Sequence, residues 1–75
     1  MAHFEVLVQW EDGSAATGRR VSLGFWSGVT DSEYTDSRGV AIVSTGGDYG
    51  EATVYVDGWE RGKMRPGRKV VTIRS

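Results

Sequence analysis

Apolar and polar residues alternate with a period of two along most of this chain, and no stretch carries the spacing of an amphipathic helix. From His3 to Trp10, Phe4, Val6, Val8 and Trp10 point one way and His3, Glu5, Leu7 and Gln9 the other, which predicts a strand with one apolar face. Leu7, on the otherwise polar side, predicts that the second face is partly covered too. Arg20–Trp26 repeats the pattern, with Val21, Leu23 and Phe25 inward and Trp26 outward. Gly24 beside it reads as a close backbone approach or a bulge. Tyr49–Asp57 turns Ala52, Val54 and Val56 inward and Thr53 and Tyr55 outward. Trp59–Met64 reads as a short returning strand broken at Gly62, and Arg68–Arg74 as a last strand with Val71 and Ile73 inward.

Turn chemistry separates these runs. Glu11-Asp12-Gly13-Ser14, Asp36-Ser37-Arg38-Gly39, Asp57-Gly58 and Pro66-Gly67 combine side chains that bond their own backbone with glycines free to take positive φ. Ala15–Gly18, Ser27–Ser32 and Ser44–Asp48 read as loops. Glu33–Thr35 and Val40–Val43 flank the second turn, so a hairpin is predicted there, with Val40 and Ile42 inward, as the unit onto which the other strands pack. Six or seven short strands joined in this way predict an all-β fold, a small β-sandwich or barrel. Its expected core is Phe4, Val6, Val8, Trp10, Val21, Leu23, Phe25, Val40, Ile42, Val54, Val56, Val71 and Ile73.

Seventy-five residues make one domain, 1–75, and a chain this short buries only about 60–65% of the surface exposed when unfolded. Without cysteine, neither disulfides nor thiolate metal sites add stability, so an apolar core must supply it, helped by self-association. The first residues, Met-Ala-His-Phe-Glu, lack the basic and apolar regions of a signal peptide. The expected setting is cytoplasmic for a whole protein and extracellular for an excised domain. No run is long enough for a membrane helix. All ten acids precede Arg61, against three bases (Arg19, Arg20 and Arg38), whereas Arg61, Lys63, Arg65, Arg68, Lys69 and Arg74 follow with no acid among them. That split fits a basic strand lying against acidic neighbours in its own sheet or in a second subunit. Its other reading is an anion-binding end.

The pattern Trp10-x-Asp12-Gly13, Gly18-x-Arg20-Val21-Ser22-Leu23, Thr35-Asp36-Ser37-Arg38-Gly39-Val40 and then Tyr49 followed by Val54-x-Val56-x-Gly58-Trp59 resembles the carboxypeptidase regulatory-like domain. The likeness runs over roughly 8–73. It departs at Ala15-Ala16, where the family often has Pro-Leu, at Val40-x-Ile42, where an aromatic is usual, and at Trp59 in place of tyrosine. The resemblance implies a prealbumin-like, Ig-like β-sandwich serving as a non-catalytic module. Among wider relatives, hydroxyisourate hydrolases carry a second histidine and a terminal Tyr-Arg-Gly-Ser. This chain has His3 alone and ends Thr72-Ile73-Arg74-Ser75.

One histidine and no cysteine leave no nucleophile–base pair, so no enzyme is expected. Asp31, Asp36 and Asp48 could converge as oxygen ligands for calcium, but no EF-hand spacing accompanies them. Turn formation explains them better, and neither a metal nor a cofactor is expected. Trp26, Tyr55 and Trp59 fall off the inward face and form the candidate ligand platform, with carbohydrate ahead of nucleic acid. Arg61, Lys63, Arg65, Arg68 and Lys69 form the candidate anion site, although the net charge of −1 disfavours a polyanion. The reading that absorbs most of these features is a structural or protein-interaction module, self-associating. A ligand-binding module stands second and a transthyretin-related hydrolase third.

Overall fold

The computed structural model describes residues 2–25, 28–30, 32–45 and 50–74, Ala2 by its backbone alone. Trp26, predicted to face outward, and Asp31, Asp48 and Tyr49 lie outside the described residues. The described residues form eight strands: β1 (Ala2–Trp10), β2 (Arg20–Phe25), β3 (Gly28–Val29), β4 (Glu33–Tyr34), β5 (Val40–Thr45), β6 (Ala52–Val56), β7 (Trp59–Met64) and β8 (Gly67–Ile73). A three-stranded sheet runs β5-β1-β8. A five-stranded sheet runs β3-β2-β6-β7, with β4 also on β2. The protein is an all-β sandwich.

Phe4, Val6 and Val8 of β1 are fully buried together with Val21, Leu23 and Val54, and Val56, Val71 and Ile73 join them. Phe4 meets Phe25 edge-on, with ring centroids 5.8 Å apart. Alternation thus placed β1, β2, β6 and β8 correctly. Trp10 and Phe25 are only partly buried against this core. Ala16, Ala41, Val43, Ala52 and Met64, absent from the expected core, complete it.

Two expectations fail around Asp36–Gly39. The turn forms as read: Asp36 Oδ1 accepts the N–H groups of Arg38 (2.8 Å) and Val40 (3.0 Å), and the Asp36 N–H donates to the Val40 carbonyl (2.9 Å). Yet it closes no hairpin. β4 pairs with β2 in one sheet and β5 with β1 in the other, so the turn is a crossover between layers. The phase of β5 is also opposite to the prediction: Ala41 and Val43 are buried, while Val40 is half-buried and Ile42 is 55% exposed. Val40-Ala41-Ile42-Val43 is apolar in both phases, so alternation alone cannot choose between them. The turn chooses. The Val8 N–H donates to the Gly39 carbonyl (2.7 Å), which sets Val40 opposite Leu7 and Ala41 opposite Val6.

Asp57-Gly58 gives the predicted hairpin, both residues at positive φ (53° and 86°), as a two-residue turn with the twist of its strands requires. Gly62 does not break β7. It sits at φ 99° in a bulge where Arg61 and Gly62 oppose Val54, and the strand continues to Met64. The polar loop read at Ser27–Ser32 contains β3, and the N–H of Thr30, just after it, donates to the Leu23 carbonyl (2.8 Å).

Candidate functional sites

The candidate platform does not assemble as one surface. Tyr55 pairs with Glu60 and Val56 with Trp59, so Tyr55 and Trp59 leave the β6–β7 ribbon on opposite sides. Tyr55 lies across Gly24: a Cβ at that glycine would fall 2.8 Å from Tyr55 Cε2. The ring therefore covers the gap that the glycine leaves, a packing role, within a groove that also takes in Phe25, Thr53 and Lys63. Trp26, the third member, lies outside the described residues.

Trp59 is the most exposed large apolar side chain described, at 71%. It stands at one end of the sandwich, lining a cleft of about 180 Å³ with Trp10, Arg19, Asp57, Arg61 and Arg74. The Arg19 guanidinium lies 5.2 Å above the Trp10 ring centre, and its Nη1 reaches Asp57 Oδ2 at 3.4 Å. Asp57 Oδ1 in turn accepts the Arg20 N–H at 3.1 Å, which ties the β6–β7 turn to the start of β2. Sequence reasoning missed Trp10 and Arg19 here, because only the bridging of the two layers brings them to Trp59.

The basic residues also divide. Arg61 reaches the end cleft and Lys63 the Tyr55 groove. Arg65 is exposed between β7 and β8. Lys69 runs back towards Gly62, its Nζ 3.5 Å from where a Cβ of that glycine would sit. Arg68 Nε pairs with Glu5 Oε2 on the neighbouring strand (3.2 Å), and Arg74 Nε with Glu11 Oε1 (3.2 Å). The Arg68–Glu5 pair matches the within-sheet reading of the charge split and Arg74–Glu11 continues it past the strand ends, although exposed pairs contribute at most about 1 kcal/mol each.

Among the described residues, Asp12 and Asp36 are the carboxylates whose titration is displaced. The Ser14 hydroxyl and N–H hold Asp12 below the ordinary value of 3.8, and the N–H groups of Val40 and Arg38 do the same for Asp36. Both act in turns. His3 Nδ1 lies 2.9 Å from Ser44 Oγ, and among the described residues no three metal-ligating side chains cluster.

A further surface was legible only in part. On the outer face of the three-stranded sheet, Val40, Leu7 and Val70 stand in one row across β5, β1 and β8. Ile42, 55% exposed, and Val70, 50% exposed, leave this strip open to solvent. The ion pair Glu5–Arg68 and the hydrogen bond from Gln9 Nε2 to Thr72 Oγ1 (3.2 Å) flank it. Leu7 pointed to this surface. The matching signal, apolar residues in both phases of β5 and at Val70-Val71, lay in the same sheet.

Compared with known protein families and with curated proteins, the chain matches no family model and no curated sequence.

Proposed function

We propose that this chain is a non-catalytic, prealbumin-like β-sandwich module that acts by protein contact, self-association included, through its three-stranded sheet. The observation that carries the reading is the open apolar strip of Val40, Leu7, Val70 and Ile42 on a face whose adjacent charges, Glu5 and Arg68, neutralise each other. A domain this small gains by covering such a surface. Light scattering across a concentration series at low and high salt tests it: association that survives high salt is expected, because the surface is apolar. A monomer at every concentration and salt would overturn the self-associating form of the reading.

A second reading rests on the end cleft. Trp59, exposed beside Arg61 and Trp10, offers a stacking surface with a cation at its rim, suited to a sugar ring ahead of a nucleobase. Tryptophan fluorescence titrated with polysaccharide tests it, and Trp59→Ala would remove the signal. A response that fades steeply with salt would instead indicate nucleic acid.

A further inference from the structure

The sandwich has strands at its margins, and they are not alike. β7 closes one side of the five-stranded sheet, carries Glu60, Arg61 and Lys63, and is kinked by the Gly62 bulge. β8 closes one side of the three-stranded sheet with Arg68 and Lys69 at its start. Charges and bulges on edge strands prevent pairing with another chain. β5 closes the other side of that sheet, and its six residues, Val40–Thr45, include no charge, no proline and no bulge.

The register shows which backbone groups this edge offers. The Val8 N–H donates to the Gly39 carbonyl, so the pair Val8–Gly39 is hydrogen-bonded. Hydrogen-bonded pairs alternate in an antiparallel ladder, and Ala41, Val43 and Thr45 therefore turn their backbone groups towards β1. Val40, Ile42 and Ser44 turn theirs away. Asp36 occupies both backbone groups of Val40. Ile42 and Ser44 are left with an N–H and a C=O each, directed out of the sheet, and no described strand pairs with that side.

We infer that β5 is a docking edge for the β5 of a second copy, paired antiparallel about a two-fold axis at Val43. In that register Ile42 of one copy lies opposite Ser44 of the other, and each such pair exchanges both backbone hydrogen bonds. Charge selects the occupant. In a two-fold contact the same strand faces itself, so the net positive charge of β7 and of β8 would meet its like, whereas β5 brings no charge to the axis. The union also joins the two apolar strips into one outer face, Ile42 beside the axis and Val70 far from it. The inference rests on the self-associating reading above and specifies its geometry.

The test compares two lysines of nearly equal exposure on one face: Ile42→Lys at the edge and Val70→Lys on the far strand. Sedimentation equilibrium should give a dimer for the wild type and for Val70→Lys, and a dissociation constant raised about a hundredfold or more for Ile42→Lys. Circular dichroism confirms that each variant is folded. Independently of any variant, amide exchange at Ile42 and Ser44 should slow as protein concentration rises. A dimer that both lysines disrupt equally, with those amides exchanging freely, would mean face-to-face packing. That would overturn the edge while sparing self-association. A wild type that stays monomeric at the highest concentrations would overturn both.

Discussion

β5 and β7 are both six-residue edge strands, and they sit on opposite layers of one sandwich. β7 is defended, with alternating charges, a bulge and a glycine at positive φ that kinks its line of backbone groups. β5 is unbulged, uncharged and rich in β-branched residues, and its outward groups at Ile42 and Ser44 meet no described partner strand. Pairing is a property of any open ladder, so what distinguishes two edges is how each one resists it. Of these two strands β7 carries charge and a bulge, and β5 carries neither.

The largest perturbation removes the setting of β5 altogether. Gly39 holds φ 78°, and a Cβ there would collide with the Val8 carbonyl oxygen. Gly39→Ala should cost on the order of 3 kcal/mol or more, the left-handed backbone and the clash adding together, read as a shift in urea midpoint. Next is Thr35, the one buried polar residue described: its hydroxyl donates to the Ala16 carbonyl at 2.6 Å and accepts the Arg19 N–H at 2.9 Å. Thr35→Val leaves both groups unpaired, and a loss of about 1–3 kcal/mol is expected by the same measurement. A stability equal to wild type would mean the crossover from β4 to β5 is held elsewhere.

Converting β7 into a second β5 challenges the comparison directly. Glu60→Thr, Arg61→Thr and Lys63→Thr with Gly62 deleted would remove the charge and the bulge together, and light scattering should then find assemblies beyond the dimer. Unchanged mass would mean that charge and bulge are not what keeps β7 unpaired. The smallest effect concerns pH. Asp36 and Asp12 have folded-state values below 3.8, so their contribution is complete above that value and is lost as pH falls through the lowered folded-state values. Thermal melts should be flat from neutrality to about pH 4 and decline below it, less steeply in Asp36→Asn.

Much of the fold could be read from alternation where one phase is polar. β1, β2, β6 and β8 each put a polar residue opposite nearly every apolar one, and their buried faces followed. Val40–Val43 is apolar in both phases, and there the inward pair was misassigned. The candidate sites were less legible. Tyr55 and Trp59 are four positions apart, but the Asp57-Gly58 turn between them puts them on opposite sides of the ribbon. Trp10, at the end of β1, and Arg19, just before β2, reach Trp59's end of the molecule from positions distant in sequence.

Turn residues and periodicity determined by themselves that this chain is all-β, where most strands begin and end, and that Asp57-Gly58 closes a hairpin. Local dihedral preference and side-chain alternation act over a few residues, and a sequence displays them openly. Only the tertiary structure decided that β1 runs parallel to β8, that Asp36–Gly39 leads from one layer to the other, and that Ile42 faces water. Each depends on which strand completes which ladder, a choice made by hydrogen bonds such as Val8 to Gly39 between residues far apart in the chain.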